Sequence, residues 1–186
     1  MNALDLMLDR ESALKLEPPG PSAEDLEQIF ASAVRAPDHG RLRPWHFVVI
    51  GPDQRGRFGE VMADSLRRRD PAASEVEVRR EGEKAFRAPT IVVVAAKVKK
   101  GHKIPEIEQI ASAAAAAQTI MLAAPALGYG AMWKTGGPAY DPTVKAALGL
   151  AGDDDIIGFL YLGTRAGGSS PIPRPAAKDF VTTWSG

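Results

Sequence analysis

The chain has 186 residues, 23 basic and 23 acidic, and no cysteine. That length suits one full hydrophobic core, and the balanced charge supplies no global field to draw the chain to nucleic acid or to a membrane surface. The lack of cysteine removes disulfides, thiolate nucleophiles and thiolate metal sites together, and permits a reducing compartment. Met1 to Asp5 show no basic region followed by a long apolar core, so no secretory leader is expected. No uncharged apolar run is expected to supply the roughly 20 residues that cross a bilayer. A soluble, cytoplasmic protein is the expectation.

A short N-terminal helix should end at Arg10-Glu11-Ser12. There an arginine fork and a hydroxyl two residues later can both bind phosphate oxygens; taken alone, they read as a solvated helix end. Ser22 and Asp25 form an N-cap with a first-turn acid, and Leu26, Ile29, Phe30 and Ala33 mark one helical face. Pro37 should stop that helix, because it disfavours helical geometry in the preceding residue and has no donor of its own. The stretch Arg35-Ala36-Pro37-Asp38-His39 then sets Arg35 and His39 on a polar loop at a sheet end. A strand follows over Trp45–Ile50, closed by Gly51-Pro52. Residues 54–85 are charged and mostly helical, interrupted near Asp70-Pro71, and read as a surface lobe that forms part of a lid. Ala88-Pro89 introduces Thr90–Ala96, the clearest buried strand.

An alanine-dominated helix is expected over residues 109–127, its small residues at 111 and 113–117 allowing close approach of another backbone. Pro125 removes one helical bond and crowds the Met121 carbonyl, so the helix should kink or end near it. Gly128-Tyr129-Gly130 terminates it, Ala131-Met132-Trp133 is a short extended segment, and Ile156–Leu162 is a further strand closed by Gly163. The tail from Gly167 to Pro175 is rich in Gly, Ser and Pro and then turns apolar at Phe180-Val181, a pattern that often packs along a neighbour. Strands interleaved with helices predict an α/β-type sandwich in one domain, with connections too irregular for a doubly wound sheet. No metal site is expected. Asp153-Asp154-Asp155 lacks the spaced oxygen ligands of a calcium loop, and His39 and His46 have no cysteine or helix pairing them for zinc. Neither a phosphate-loop motif nor a nucleophile elbow occurs.

Three motifs, in order along the chain, resemble the FMN-dependent nitroreductase family, especially its short members. Arg10-Glu11-Ser12 is similar to an Arg-Arg-Ser element, with Glu11 in place of the second arginine. Arg35 through His39 is similar to an Arg-Ala-Pro-Asp-His element, followed by Arg43-Pro44-Trp45 where Gln-Pro-Trp is usual. Gly128 to Gly136 is similar to a Gly-x-Gly-x-x-Trp-Arg-Ser-Gly run, with Lys134 replacing the arginine.

The resemblance implies an α+β, three-layer α-β-α sandwich with a central mixed sheet, and a C-terminal arm that packs on the partner of a homodimer. It implies FMN held by Arg10, Glu11 and Ser12 at the phosphate, with Glu11 acting through its backbone or pointing to solvent. Arg35 and His39 would contact FMN from the loop, and Ala131, Met132 and Trp133 along the ring. Residues Met121, Leu122, Ala123, Ala124, Pro125 and Ala126 would contact NADH or NADPH. The activity implied is ping-pong reduction of nitroaromatics, quinones or related electrophiles, with electrons carried by the flavin and no catalytic acid or base from the protein. A flavin carrier or sensor without nicotinamide turnover, and a family-like scaffold without cofactor, are the alternative readings.

Overall fold

The computed structural model describes residues 2–168 and 173–186. Part of the Gly/Ser/Pro-rich tail, residues 169–172, lies outside the described residues. Helix α1 (Ala3–Asp9) is capped by the Asn2 side chain, which accepts from the Leu4 and Asp5 N–H groups, and Arg10 closes it. A two-residue strand, β1 (Leu16–Glu17), follows. Helix α2 (Ala23–Ala33) starts at Ser22, whose Oγ accepts the Asp25 N–H at 3.1 Å. It ends before Pro37, tightening into turns over residues 34–36.

Strand β2 (Trp45–Ile50) leads to α3 (Arg55–Arg69) and α4 (Glu75–Glu83), separated at Asp70-Pro71 as the sequence indicates. Strand β3 (Thr90–Ala96) leads to the long α5 (Glu106–Ala126), then β4 (Gly130–Lys134), the short α6 (Gly137–Tyr140) and α7 (Pro142–Ala147), and β5 (Asp155–Arg165). Helix α5 includes Pro125 and stops one residue later; Gly128, at φ +91°, and Tyr129 turn back to bond the Pro125 and Ala124 carbonyls. Tyr129 Oη donates to Asp25 Oδ2 at 2.6 Å and ties that turn to the start of α2.

The central sheet corrects one expectation. It is not mixed: among the described residues every strand pair, β1 with β5, β2 with β3, β3 with β5 and β4 with β5, is antiparallel. The connections explain this. Two helices join β2 to β3, and two join β4 to β5, so the chain goes out and comes back to the same sheet end. The single helix α5 carries the chain to the opposite end, so β3 and β4 run the same way, but β5 lies between them and opposes both.

Strand β3 is buried throughout and supplies both cores by alternation. Ile91, Val93 and Ala95 face Phe58, Met62 and Ala85 of the α3–α4 side, so that lobe is not only surface. Val92 and Val94 face Ile29 and Ala33 of α2 and Ala117, Ile120 and Met121 of α5. Helices therefore cover both faces of the sheet. At 21 residues, α5 is long and apolar enough to cross a bilayer by length and composition, a correction to the sequence expectation; here its buried side lies on the sheet. Burial of side chains such as Ile120 and Met121 contributes about 1.5–3 kcal/mol each.

Candidate functional site

The N-terminal motif and the third motif meet at the edge of β4. Ala13 N–H donates to the Ala131 carbonyl at 2.9 Å, on the side of β4 turned away from β5. Arg10, Glu11, Pro125, Tyr129, Ala131 and Arg165 line a cleft of about 320 Å³ beside this contact. Glu11 does not point to solvent, which corrects that alternative; its side chain is 17% exposed and forms an ion pair with Arg165. That pairing offsets a charge that would otherwise repel a phosphate. Arg174 reaches in from the tail and donates to the Arg10 carbonyl at 2.7 Å, so three arginines converge here. Ser12 is half-buried next to them.

Alternation along β4 divides the next three candidates. Ala131 and Trp133 belong to the α5 side of the sheet, and Met132 to the other. Their side chains cannot all face one ligand; the shared feature is backbone, because Ala131 and, by alternation, Trp133 turn their peptide groups to the outer edge. A bulge positions Trp133. Val94 and Ala95 of β3 pair with Gly158 and Ile156 of β5, leaving Ile157 as the extra residue. The Ile157 carbonyl, off the ladder, accepts Trp133 Nε1–H at 3.3 Å, and the indole lies where a Cβ on Gly158 would stand. On the Met132 side, Lys15, Arg87, Lys134 and Tyr161 line a second cleft of about 480 Å³. Burial pushes the Tyr161 phenol up to about 12, against the pull of Arg87, so it stays a proton-bearing donor at neutral pH.

The second motif lies elsewhere. His39 Nδ1 pairs with Glu108 Oε2 in the first turn of α5 at 2.6 Å. The Asp38 carboxylate accepts the Leu42 and Arg43 N–H groups at 3.2 and 2.7 Å. This holds Arg41 and Arg43 at φ +55° and +51°, conformations that cost a non-glycine residue about 1 kcal/mol or more. Arg35, His39 and Arg43 are exposed. From Glu108 to Pro125 the helix rises about 25 Å at 1.5 Å per residue, longer than a flavin mononucleotide. Within one chain, then, Arg10 and His39 stand at opposite ends of α5.

The segment from Met121 to Ala126 is divided by the helical period. Met121 and Ala124 are 2% and 0% exposed and packed on the sheet, so as ligand contacts they are corrected: burial against β-strands leaves no access. Leu122, Ala123 and Pro125 are half-buried and Ala126 is exposed.

Residues 7–164 match the sequence profile of the Nitroreductase family. The chain belongs to the nitroreductase family. It is 39% identical over 185 residues to the Escherichia coli (strain K12) protein named "Putative NAD(P)H nitroreductase YdjA", covering 98% of this chain and 99% of that one. Its fold is that of a nitroreductase-like protein from Bacillus cereus, with a TM-score of 0.86 at 21% identity over 100% of this chain and 97% of the other. A Bacteroides fragilis nitroreductase with bound FMN superposes with a TM-score of 0.75 at 21% identity over the whole of both chains.

Among nitroreductase positions in this chain, sequence reasoning missed Arg165, Arg174 and Glu108. Each bonds to a partner 69 to 164 residues away, and no local pattern marks such pairs.

Proposed function

We propose that this nitroreductase uses NADH or NADPH to reduce nitroaromatics, quinones or related electrophiles through FMN, with residues 1–186 acting as one domain of a homodimer. The observation that carries the reading is the separation of the two motif sets along α5. The residues match those of a cofactor site, yet one chain holds them too far apart to grip one FMN, and a two-fold pairing brings the His39 loop of one copy to the Arg10 end of the other. Apolar surface suited to such pairing is present: Leu4, Met7 and Leu8 on α1 and Phe180, Val181 and Trp184 in the tail are each more than half exposed. The tail would serve as the arm that packs on the second copy.

The donor set fits FMN. Arg10 and Arg174 bind phosphate oxygens with Ser12, while Arg165 neutralises Glu11. The outer backbone edge of Ala131 to Trp133 presents N–H groups to ring carbonyls, and Lys134 supplies positive charge nearby. Arg35 and His39, from the second copy, close the site, with Glu108 fixing the imidazole. Leu122, Pro125 and Ala126 remain the accessible part of the segment matched to nicotinamide binding. FMN, when bound, supplies the hydride chemistry, and the protein supplies position and electrostatics.

The test is a visible spectrum of the purified protein with FMN titration, sedimentation at micromolar concentration, and NAD(P)H oxidation with menadione or nitrofurazone. About one FMN per chain, a dimer and steady turnover are expected. Tight FMN binding without turnover would make the protein a carrier or sensor, and a monomer would remove the shared site.

A further inference from the structure

The sheet end that carries His39 also carries positive charge beyond Arg35, the one cation there that the proposed FMN site uses. Residues 35–43 contain three arginines and residues 97–105 contain four lysines, with Asp38 the one carboxylate in the two segments, in a chain whose charges balance overall; Asp155 pairs with Ala96 at the same sheet end. All seven cations are exposed, and none lies within ion-pair distance of a carboxylate among the described residues. Asp38 is committed to the Leu42 and Arg43 amides, and Glu108 to His39.

The fold locks these two segments together. Trp45 pairs with Ala96 at the sheet end, and the Lys97 N–H donates to the Pro44 carbonyl at 2.7 Å. Gln109, 2% exposed at the start of α5, accepts the Lys99 N–H at 2.8 Å and donates to the Lys99 and Ile104 carbonyls at 3.2 and 3.1 Å. Ile104 in turn fills the space where a Cβ on Gly40 would stand. The backbone bearing Arg41, Arg43, Lys99 and Lys103 is therefore braced, while the cationic heads stay free. Such an arrangement binds a multiply charged anion with little reorganisation.

The acceptors in the proposed reaction are largely neutral, whereas the dinucleotide must carry several negative charges. NADPH differs from NADH by a 2′-phosphate of about −1.5 to −2 charge at neutral pH. We infer that the paired loops 39–43 and 97–103 form the site for the adenosine 2′-phosphate and make the chain selective for NADPH. The inference rests on the reductase reading above.

Two measurements test it on the FMN-loaded protein, with the Lys99→Gln/Lys103→Gln variant as comparison. The Gln109 bonds run to main-chain atoms, so the variant keeps its brace. In calorimetry, 2′,5′-ADP is expected to bind at least tenfold tighter than 5′-AMP, with that advantage falling severalfold in the variant. In turnover with menadione, kcat/KM is expected to favour NADPH over NADH by about tenfold, and the ratio to move toward one in the variant. Equal binding of the two nucleotides, or an advantage unchanged in the variant, would overturn the inference. If neither NADPH nor NADH is oxidised, the reductase reading fails by itself, and the 2′,5′-ADP comparison still decides the site.

Discussion

The Ala13 N–H donates to the Ala131 carbonyl at 2.9 Å, and this bond lays the Arg10–Ser12 segment along the free edge of β4. The side chains proposed to bind phosphate and the backbone proposed to face the ring are thereby set side by side although they are more than 110 residues apart. Arg10→Ala is expected to weaken FMN binding by about 1.5–3 kcal/mol, the worth of a charged hydrogen bond. Fluorescence titration with FMN measures this, and an unchanged dissociation constant would take Arg10 out of the site.

Gly158→Ala should disturb the same edge from below. The new Cβ would lie 2.2 Å from Trp133 Nε1, 2.7 Å from its Cδ1 and 3.1 Å from the Lys134 carbonyl oxygen, so the indole must leave its bond to Ile157. We expect about 1–3 kcal/mol of lost stability together with weaker FMN binding and altered tryptophan fluorescence. Native fluorescence in a stable variant would show that Trp133 does not depend on this glycine.

The α3–α4 pair depends on two glycines. A Cβ on Gly59 or Gly82 would sit 2.9 Å from the carbonyl oxygen of the other, and backbone cannot swing aside. Each alanine substitution should cost about 1–3 kcal/mol. Gly56→Ala, on the same α3 with nothing within 4 Å of its Cβ, should instead stabilise by about 0.5–1 kcal/mol through helix propensity. Urea denaturation of the three variants compares packing with propensity directly; equal effects would mean the helices separate freely.

Asp141 should make the protein acid-sensitive. Burial alone would raise its pKa, but the Ser65 hydroxyl at 2.5 Å, the Thr143 hydroxyl and N–H at 2.6 and 2.7 Å, and the Arg68 charge outweigh burial and lower it from 3.8 to about 2. The folded value lies below the unfolded one, so the contribution is fully present above pH 3.8 and is lost as pH falls toward 2. It amounts to about 2 kcal/mol. Asp141→Asn should lower stability at pH 7 and lose less than wild type between pH 5 and pH 2 in urea melts; parallel pH curves would contradict the assignment.

How much of this was legible beforehand differs by element. Strands β2 and β3, the Ser22 cap, the break at Asp70-Pro71 and the end of α5 after Pro125 were all readable, because each rests on residues within a few positions of one another. The antiparallel sheet was not, since strand direction follows from how many helices return the chain, not from any strand's own pattern. The solvent-facing alternative for Glu11 failed for a related reason. Its partner Arg165 is distant in sequence, and a lone carboxylate in a phosphate-binding motif carries no sign of who neutralises it.

By itself the sequence determined which residue types stand in each motif and the local geometry that short-range sterics and capping impose, and through the order of those motifs it determined the family. Only the tertiary structure decided that Met121 and Ala124 belong to the core, that three arginines converge beside β4, and that His39 stands at the far end of α5 from Arg10. The physical reason is range. Propensity and capping act over a turn or two, whereas charge pairing, burial and separation along a 21-residue helix depend on where the sheet brings distant segments to rest.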